Sequence, residues 1–215
     1  MSKYLLLCIT LCTGLLLSSC ASSIQNNSQG EIDSLWEQRQ LQLSNLSDWH
    51  MKGRMVVVNG AELWAMSVDW KQKGEQFVIF LSGPFGAGKV QLAGSKNGVL
   101  LKNSDDQIFY AETAEELLLD HTGIAMPLSH LRYWVVGLPH NGNKRTLDSL
   151  GRLESLTSAK WDIVFKRYTQ IENKDTPTDF KKLGAALELP DKIFIHQGED
   201  IKVRVVVGEW LFDKT

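Results

Sequence analysis

From Trp49 onward the apolar residues of this chain recur at every second position, and they do so between short polar turns almost to its end. A period of two is that of a β-strand, whose successive side chains point to opposite faces of a sheet. Trp49, Met51, Gly53, Met55 and Val57 share one face of a first strand. After the Asn59-Gly60 turn, Trp64, Met66, Val68 and Trp70 share one face of a second. Asn-Gly between two alternating runs is a hairpin signal, so these strands are antiparallel neighbours. Lys71 to Gly74 turns the chain into a third strand, Gln76 to Ser82, and Gly83 to Gly88 leads to a fourth, Lys89 to Ala93. A fifth lies between Asn97-Gly98 and Asp105-Asp106, and Gln107 to Ala111 forms a sixth. Strand patterns resume at Arg152 to Thr157, Trp161 to Tyr168, Leu187 to Leu189, Lys192 to His196 and Ile201 to Val207, with Ile171 to Lys182 a long loop. Ten or eleven strands are too many for a small flat sheet, so the expectation is a mainly β (α+β) fold built on a curved sheet or open barrel.

The period changes in three places. Ile32, Leu35, Trp36, Arg39, Leu43 and Leu46 fall at helical spacing, which predicts a first helix over Glu31 to Leu46 with Arg39 the polar intruder on its stripe. Thr113-Ala114-Glu115-Glu116 is a capping box, followed by Leu117 to Leu119 and closed by Gly123. Pro127 opens another helix through Leu128, Leu131, Trp134 and Val135 to Gly137, and Pro139 prevents its extension. This helix pair interrupts the sheet between its two groups of strands.

The N-terminus carries a different kind of signal. Lys3 supplies positive charge, Tyr4 to Leu17 an apolar run, and Ser18-Ser19 a small-residue cleavage site directly before Cys20. That order reads as the signal of a bacterial lipoprotein, with residues 1–19 cleaved and Cys20 left as an N-terminus bearing S-diacylglycerol and an N-acyl chain. The run is shorter than the ~20 residues that span a bilayer, which argues against a retained anchor helix. Each acyl CH₂ contributes about 0.8 kcal/mol to membrane attachment, so several chains on one cysteine hold the protein permanently. Ala21, where Asp tends to retain lipoproteins in the inner membrane, points to the outer membrane. Residues 20–30 then form a polar tether, and residues 31–215 a single domain.

Cys8 and Cys12 leave with the signal, so the mature chain has no pair of thiols for a disulfide. A formal net charge of −2 with both signs interspersed carries no nucleic-acid footprint. Seven tryptophans indicate a large apolar surface, either plain core or the lining of a cavity.

Gly83-Pro84-Phe85-Gly86-Ala87-Gly88-Lys89 matches the first seven positions of a P-loop. The eighth is Val90 instead of the Ser or Thr that holds Mg²⁺, and Gln91-Leu92-Ala93-Gly94 alternates like a strand where a phosphate site needs a helix N-terminus. Nucleotide binding is therefore not expected. The segment is read as a glycine-flanked turn with Phe85 at its tip, which either tucks against the sheet or projects as a membrane or acyl-chain probe.

Nor does the chain read as an enzyme. His50, His121, His130, His140 and His196 are scattered without metal-ligand spacing, and there is no nucleophile-elbow motif. Ser129 and His130 are neighbours at a helix start and point in different directions. Asp105-Asp106 and Glu115-Glu116 have simpler roles in a turn and a helix start.

Taken in order, the lipobox, Trp36, Trp49-x-x-x-Gly53-Arg54, Trp70, the Gly83-Pro84-Phe85-Gly86 loop, Thr122-Gly123 with Pro127-Leu128, Leu131-Arg132-Tyr133-Trp134-x-x-Gly137-Leu138-Pro139, Trp161 and Trp210 carry a resemblance. The chain resembles the LolB family of outer-membrane lipoprotein receptors over nearly its full length. The resemblance implies an incomplete antiparallel β-barrel of about eleven strands wrapped around helices and enclosing an apolar cavity. It also implies a monomeric receptor and chaperone with no resident cofactor. Such a receptor takes acylated lipoproteins from the periplasmic carrier LolA and inserts them into the inner leaflet of the outer membrane, facing the periplasm. Family members carry an apolar residue, commonly leucine, at the tip of the protruding loop, and Phe85 holds that place here, with Pro84, Gly83 and Gly86 shaping the loop. Gly83 stands where the family often has Asn. For the cavity lining the expected residues are Trp64, Met66, Val68 and Trp70 with Phe77, Ile79 and Trp134, because large flexible or aromatic groups adapt to varied acyl chains. Arg54 and Arg132 are open between two roles, as partners of buried carbonyls and as carrier contacts. The competing reading is an envelope lipoprotein that binds a generic lipid or glycolipid.

Overall fold

The computed structural model describes residues 28–86, 88–123, 126–140, 144–171 and 187–212. The signal, Cys20, the tether up to residue 27 and nearly all of the long loop after Ile171 lie outside the described residues.

Helix α1 (Gln29–Ser44) comes first, followed by strands β1 (Asp48–Asn59), β2 (Glu62–Lys73), β3 (Gln76–Ser82), β4 (Val90–Ser95), β5 (Gly98–Lys102) and β6 (Ile108–Ala111). Helices α2 (Ala114–Thr122) and α3 (Leu128–Trp134) precede β7 (Arg145–Leu147), β8 (Leu153–Ser158), β9 (Trp161–Gln170), β10 (Glu188–Gln197) and β11 (Ile201–Leu211). All described strands join one antiparallel sheet in the order β6-β5-β4-β3-β2-β1-β11-β10-β9-β8-β7. The first and last strands pair in the middle of the sheet, while β6 and β7 stand at its two edges, so the barrel is incomplete. The chain crosses from one edge to the other through α2 and α3, as the helix pair between two strand groups predicts.

Alternation in sequence becomes alternation in burial. Trp49, Met51, Met55 and Val57 of β1 are buried, and one apolar cluster from Trp36 to Trp210 joins the sheet's inner face to the described helices. Among the described residues, from Ser28 onward, the buried apolar side chains form this one core. Across β2, β1 and β11, Trp49 packs against Trp70 and Trp210 with ring centroids 5.2 and 5.7 Å apart.

Three strand readings need correction. The two segments read at Leu187 to Leu189 and Lys192 to His196 merge into one strand, β10, which starts at Glu188, because register shifts around Pro190 and Lys192 absorb a proline that cannot donate to the ladder. The three-residue β7 is too short to show a period. Strand β11 runs on to Leu211. Its pairing with β1 slips between Lys52 and Gly53, so Gly208 is the extra residue, and the inward set passes from Val207 to Trp210.

Helix α1 begins two residues before the expected Glu31, inside the segment read as tether, because Ser28 and Glu31 bond reciprocally in a capping box, and it ends at Ser44, short of Leu46. Its buried stripe is narrower than expected. Trp36 and Leu43 are buried and Arg39 turns inward, whereas Leu35 remains exposed. The inward turn of Arg39 has a partner: its guanidinium donates to the Glu188 carbonyl oxygen and lies 5.3 Å from the Tyr168 ring centre, with Arg152 over the same ring at 4.7 Å. Burial pushes the Tyr168 phenol well above its ordinary range, and its hydroxyl donates to the Leu153 carbonyl at 2.7 Å. The close seat of α1 also requires Gly151, where a Cβ would stand 2.6 Å from that of Leu35.

Helix α2 has the capping box and left-handed Gly123 that its sequence predicts. Thr113→Ala removes the acceptor for the Glu116 amide and should lower unfolding free energy by about 1 kcal/mol, read from urea denaturation.

Candidate functional site

The space between the helix pair and the inner face of β2 to β5 holds a pocket of about 210 Å³. Its apolar wall includes Trp70, Phe77, Ile79, Val99 and Leu128. Three of the expected lining residues, Trp70, Phe77 and Ile79, are thus brought together here. Phe77 is placed by Gly94, its cross-strand partner on β4: a Cβ on that glycine would stand 2.4 Å from the ring. A polar rim is built by Glu112, Glu115, Ser129 and Arg132. The Ser129 amide and hydroxyl both donate to a Glu115 oxygen, at 2.8 and 2.7 Å, tying the start of α3 to α2.

A second pocket of about 340 Å³ lies between α1 and the chain around and after α3, with Leu43, Leu46, Trp49, Val136 and Leu138 among its lining. Gln72 borders both pockets. Its buried side-chain oxygen accepts from the Trp70 indole at 3.0 Å, and its nitrogen donates to the Gly74 carbonyl at 2.8 Å. Arg132 reaches from α3 to the β2–β3 turn and donates to the two Glu75 carboxylate oxygens at 3.0 and 3.1 Å. The Tyr133 hydroxyl accepts from the same guanidinium at 2.6 Å, and His140 stacks on the Tyr133 ring at 4.5 Å. Burial first, then the neighbouring His130 and Arg132, hold the His140 imidazole below its ordinary pKa.

The remaining expected residues fall elsewhere. Trp64 and Met66 border a third pocket, about 360 Å³, beside the Gly83 loop together with Leu63, Leu81 and Val90. Val68 is packed in the core between the two ends of β2, and Trp134 is completely buried beside His130. Arg54 is exposed on β1. Glu75 and Gln72 carry no sequence signal for the site, because a turn glutamate and a strand glutamine are ordinary in such places.

The loop after β3 is a single 3-10 turn, Pro84–Gly86, and the chain then re-enters the sheet at Val90 instead of starting a helix. The nucleotide-site reading has no helix N-terminus to rest on. Phe85 sits at φ 57° and ψ 21°, in the left-handed region, with 111% relative exposure. A residue with a Cβ meets a cost there of roughly 1–2 kcal/mol, so the loop holds this ring outward against its local preference. The pocket under the helix pair lies at the other end of β3. The pocket covers the first half of that strand, from Glu75 to Ile79, so the steps from Ile79 to Ser82, at about 3.4 Å each, put ~10 Å of strand between its edge and the loop.

The described residues form a half-barrel, an incomplete antiparallel barrel with helices over its buried face and apolar pockets beneath them. Its fold is similar to that of a LolA superfamily protein from Nitrosomonas europaea, with a TM-score of 0.51 at 8% identity, covering 86% of this chain and 94% of that one. A putative outer membrane lipoprotein-sorting protein domain from Vibrio parahaemolyticus gives the same TM-score, 0.51, at 10% identity over 86% of this chain and 92% of that one. In sequence, the family model described as Outer membrane lipoprotein LolB matches residues 47–210. The outer-membrane lipoprotein LolB of Nitrosococcus oceani is 33% identical over 211 residues, 97% of this chain and 98% of that protein. That of Halorhodospira halophila is 34% identical over 172 residues, 78% of this chain and 83% of the relative. The chain belongs to the outer-membrane lipoprotein LolB family.

Proposed function

We propose that this protein is an outer-membrane receptor that accepts acylated lipoproteins from the periplasmic carrier LolA and places them in the inner leaflet of that membrane. The observation that carries the reading is the apolar pocket under the helix pair, together with an exposed aromatic at the far end of the same strands. Acyl chains gain by leaving water for the pocket, and the polar rim leaves the cargo polypeptide in solvent. Cargo moves toward the site that binds it more tightly, so transfer needs no bond cleavage and no energy source. Acylation of Cys20 would hold the domain at the membrane on a short tether, facing the periplasm, which places Phe85 within reach of lipid.

Mixing residues 21–215 with LolA carrying an acylated lipoprotein tests this directly by pull-down. Cargo is expected to move onto the domain and to stay with it. Retention of the cargo by LolA, with binding of free glycolipid instead, would overturn the receptor reading in favour of a generic lipid binder.

A further inference from the structure

The Glu75–Arg132 pair stands at a border. Both residues line the pocket of about 210 Å³ under the helix pair and the pocket of about 340 Å³ beside α1. Gln72, the third residue common to the two, is fixed from both ends by Trp70 and Gly74. The ion pair has no such fixture. It joins two elements, α3 and the β2–β3 turn, that lie 57 residues apart in sequence, and the Glu75 side chain is 66% exposed. Arg132 keeps a second partner on its own helix in the Tyr133 hydroxyl, and its guanidinium lies 4.7 Å from that ring's centre. On releasing Glu75 the arginine keeps one contact, from its guanidinium to the Tyr133 hydroxyl.

We propose that the Glu75–Arg132 pair is a latch that divides one apolar groove into two pockets, and that a long acyl chain must open it to lie across both. The proposal rests on the acyl-binding reading above and adds a selection by chain length. A short chain fits one pocket and leaves the pair closed. A long chain crosses the border and binds at the expense of the pair. A bidentate pair this exposed is weak, so a handful of additional buried methylenes outweighs it and the latch works reversibly.

The test uses residues 21–215, titrated with octanoate and with palmitate below their micelle concentrations and followed by calorimetry. In Glu75→Gln, the ratio of palmitate to octanoate affinity is expected to rise about fivefold over that of the unaltered domain. Restoring the pair with its charges exchanged, Glu75→Arg with Arg132→Glu, should return the ratio to its original value. An equal gain for both fatty acids would mean that freed Arg132 simply meets the ligand carboxylate, and would overturn the latch. So would unchanged palmitate affinity. If the unaltered domain and the variant bind neither fatty acid, the acyl-binding reading fails and the latch falls with it. Glu75 is exposed enough that the variant should fold, and matching urea midpoints verify this.

Discussion

Phe85→Glu is expected to lower insertion of cargo lipoprotein into phospholipid vesicles by at least about tenfold while leaving its acceptance from LolA unchanged. Full burial of a phenylalanine side chain in an apolar medium is worth roughly 1.5–3 kcal/mol, and about 1.4 kcal/mol is a factor of ten. Glutamate forfeits that gain and adds a charge that resists leaving water. The separation of effects comes from geometry. The ring is fully solvent-exposed at one end of β3, and the pocket under the helix pair lies at the other. Exposure also means that the ring contributes no packing, so the urea midpoint should not fall. An aliphatic tip such as Phe85→Leu should keep most of the activity. If Phe85→Glu delivers cargo as well as the original chain, the loop has no part in insertion. If acceptance fails in step with delivery, the two ends of the sheet are not the independent sites that their separation implies.

A second large effect is expected far from either site. Gly53→Ala should destabilise the domain by about 3 kcal/mol or more, measured by urea unfolding. A Cβ at this position would stand 2.3 Å from the Val206 carbonyl oxygen and 3.1 Å from the Val207 Cα, both of them backbone atoms that cannot swing away. The substitution would force apart β1 and β11 at their bulge, and that pairing joins the two halves of the sheet. Gly30 is the natural contrast. It lies in α1 with open space around it, so Gly30→Ala should be neutral or stabilising by about 0.5 kcal/mol. Equal effects at the two positions would show that backbone entropy, and not close approach, dominates at Gly53.

Gly53 also shows where local reading stops. Its place in an alternating run marks it as a strand residue, but nothing near it in sequence says that the carbonyl of the distant Val206 will fill the space of a side chain. The phase slip at Gly208 is of the same kind. Alternation ends at Val207 in the sequence because the strand shifts its inward set there, and only pairing with β1 reveals that it continues to Trp210. Pro190 misleads in the opposite direction, since a proline ordinarily ends a strand and here sits in a register shift.

The legible part of this protein is the part that short-range physics writes into its chain. A period of two sets β-strands, the capping box at Thr113 starts a helix, and Gly123 ends it. Proline and glycines around Phe85 leave a loop tip with no neighbours to cover it, so its exposure was readable as one of two outcomes. Long-range packing set the rest. It paired β1 with β11, buried Val68 and Trp134 away from the pocket that Trp70, Phe77 and Ile79 face, and placed Arg132 of the helix pair against Glu75 of a distant turn. Which apolar residues enclose space and which fill it depends on the distance between helix and sheet. Contacts across tens of residues set that distance, and no residue's own periodicity encodes it.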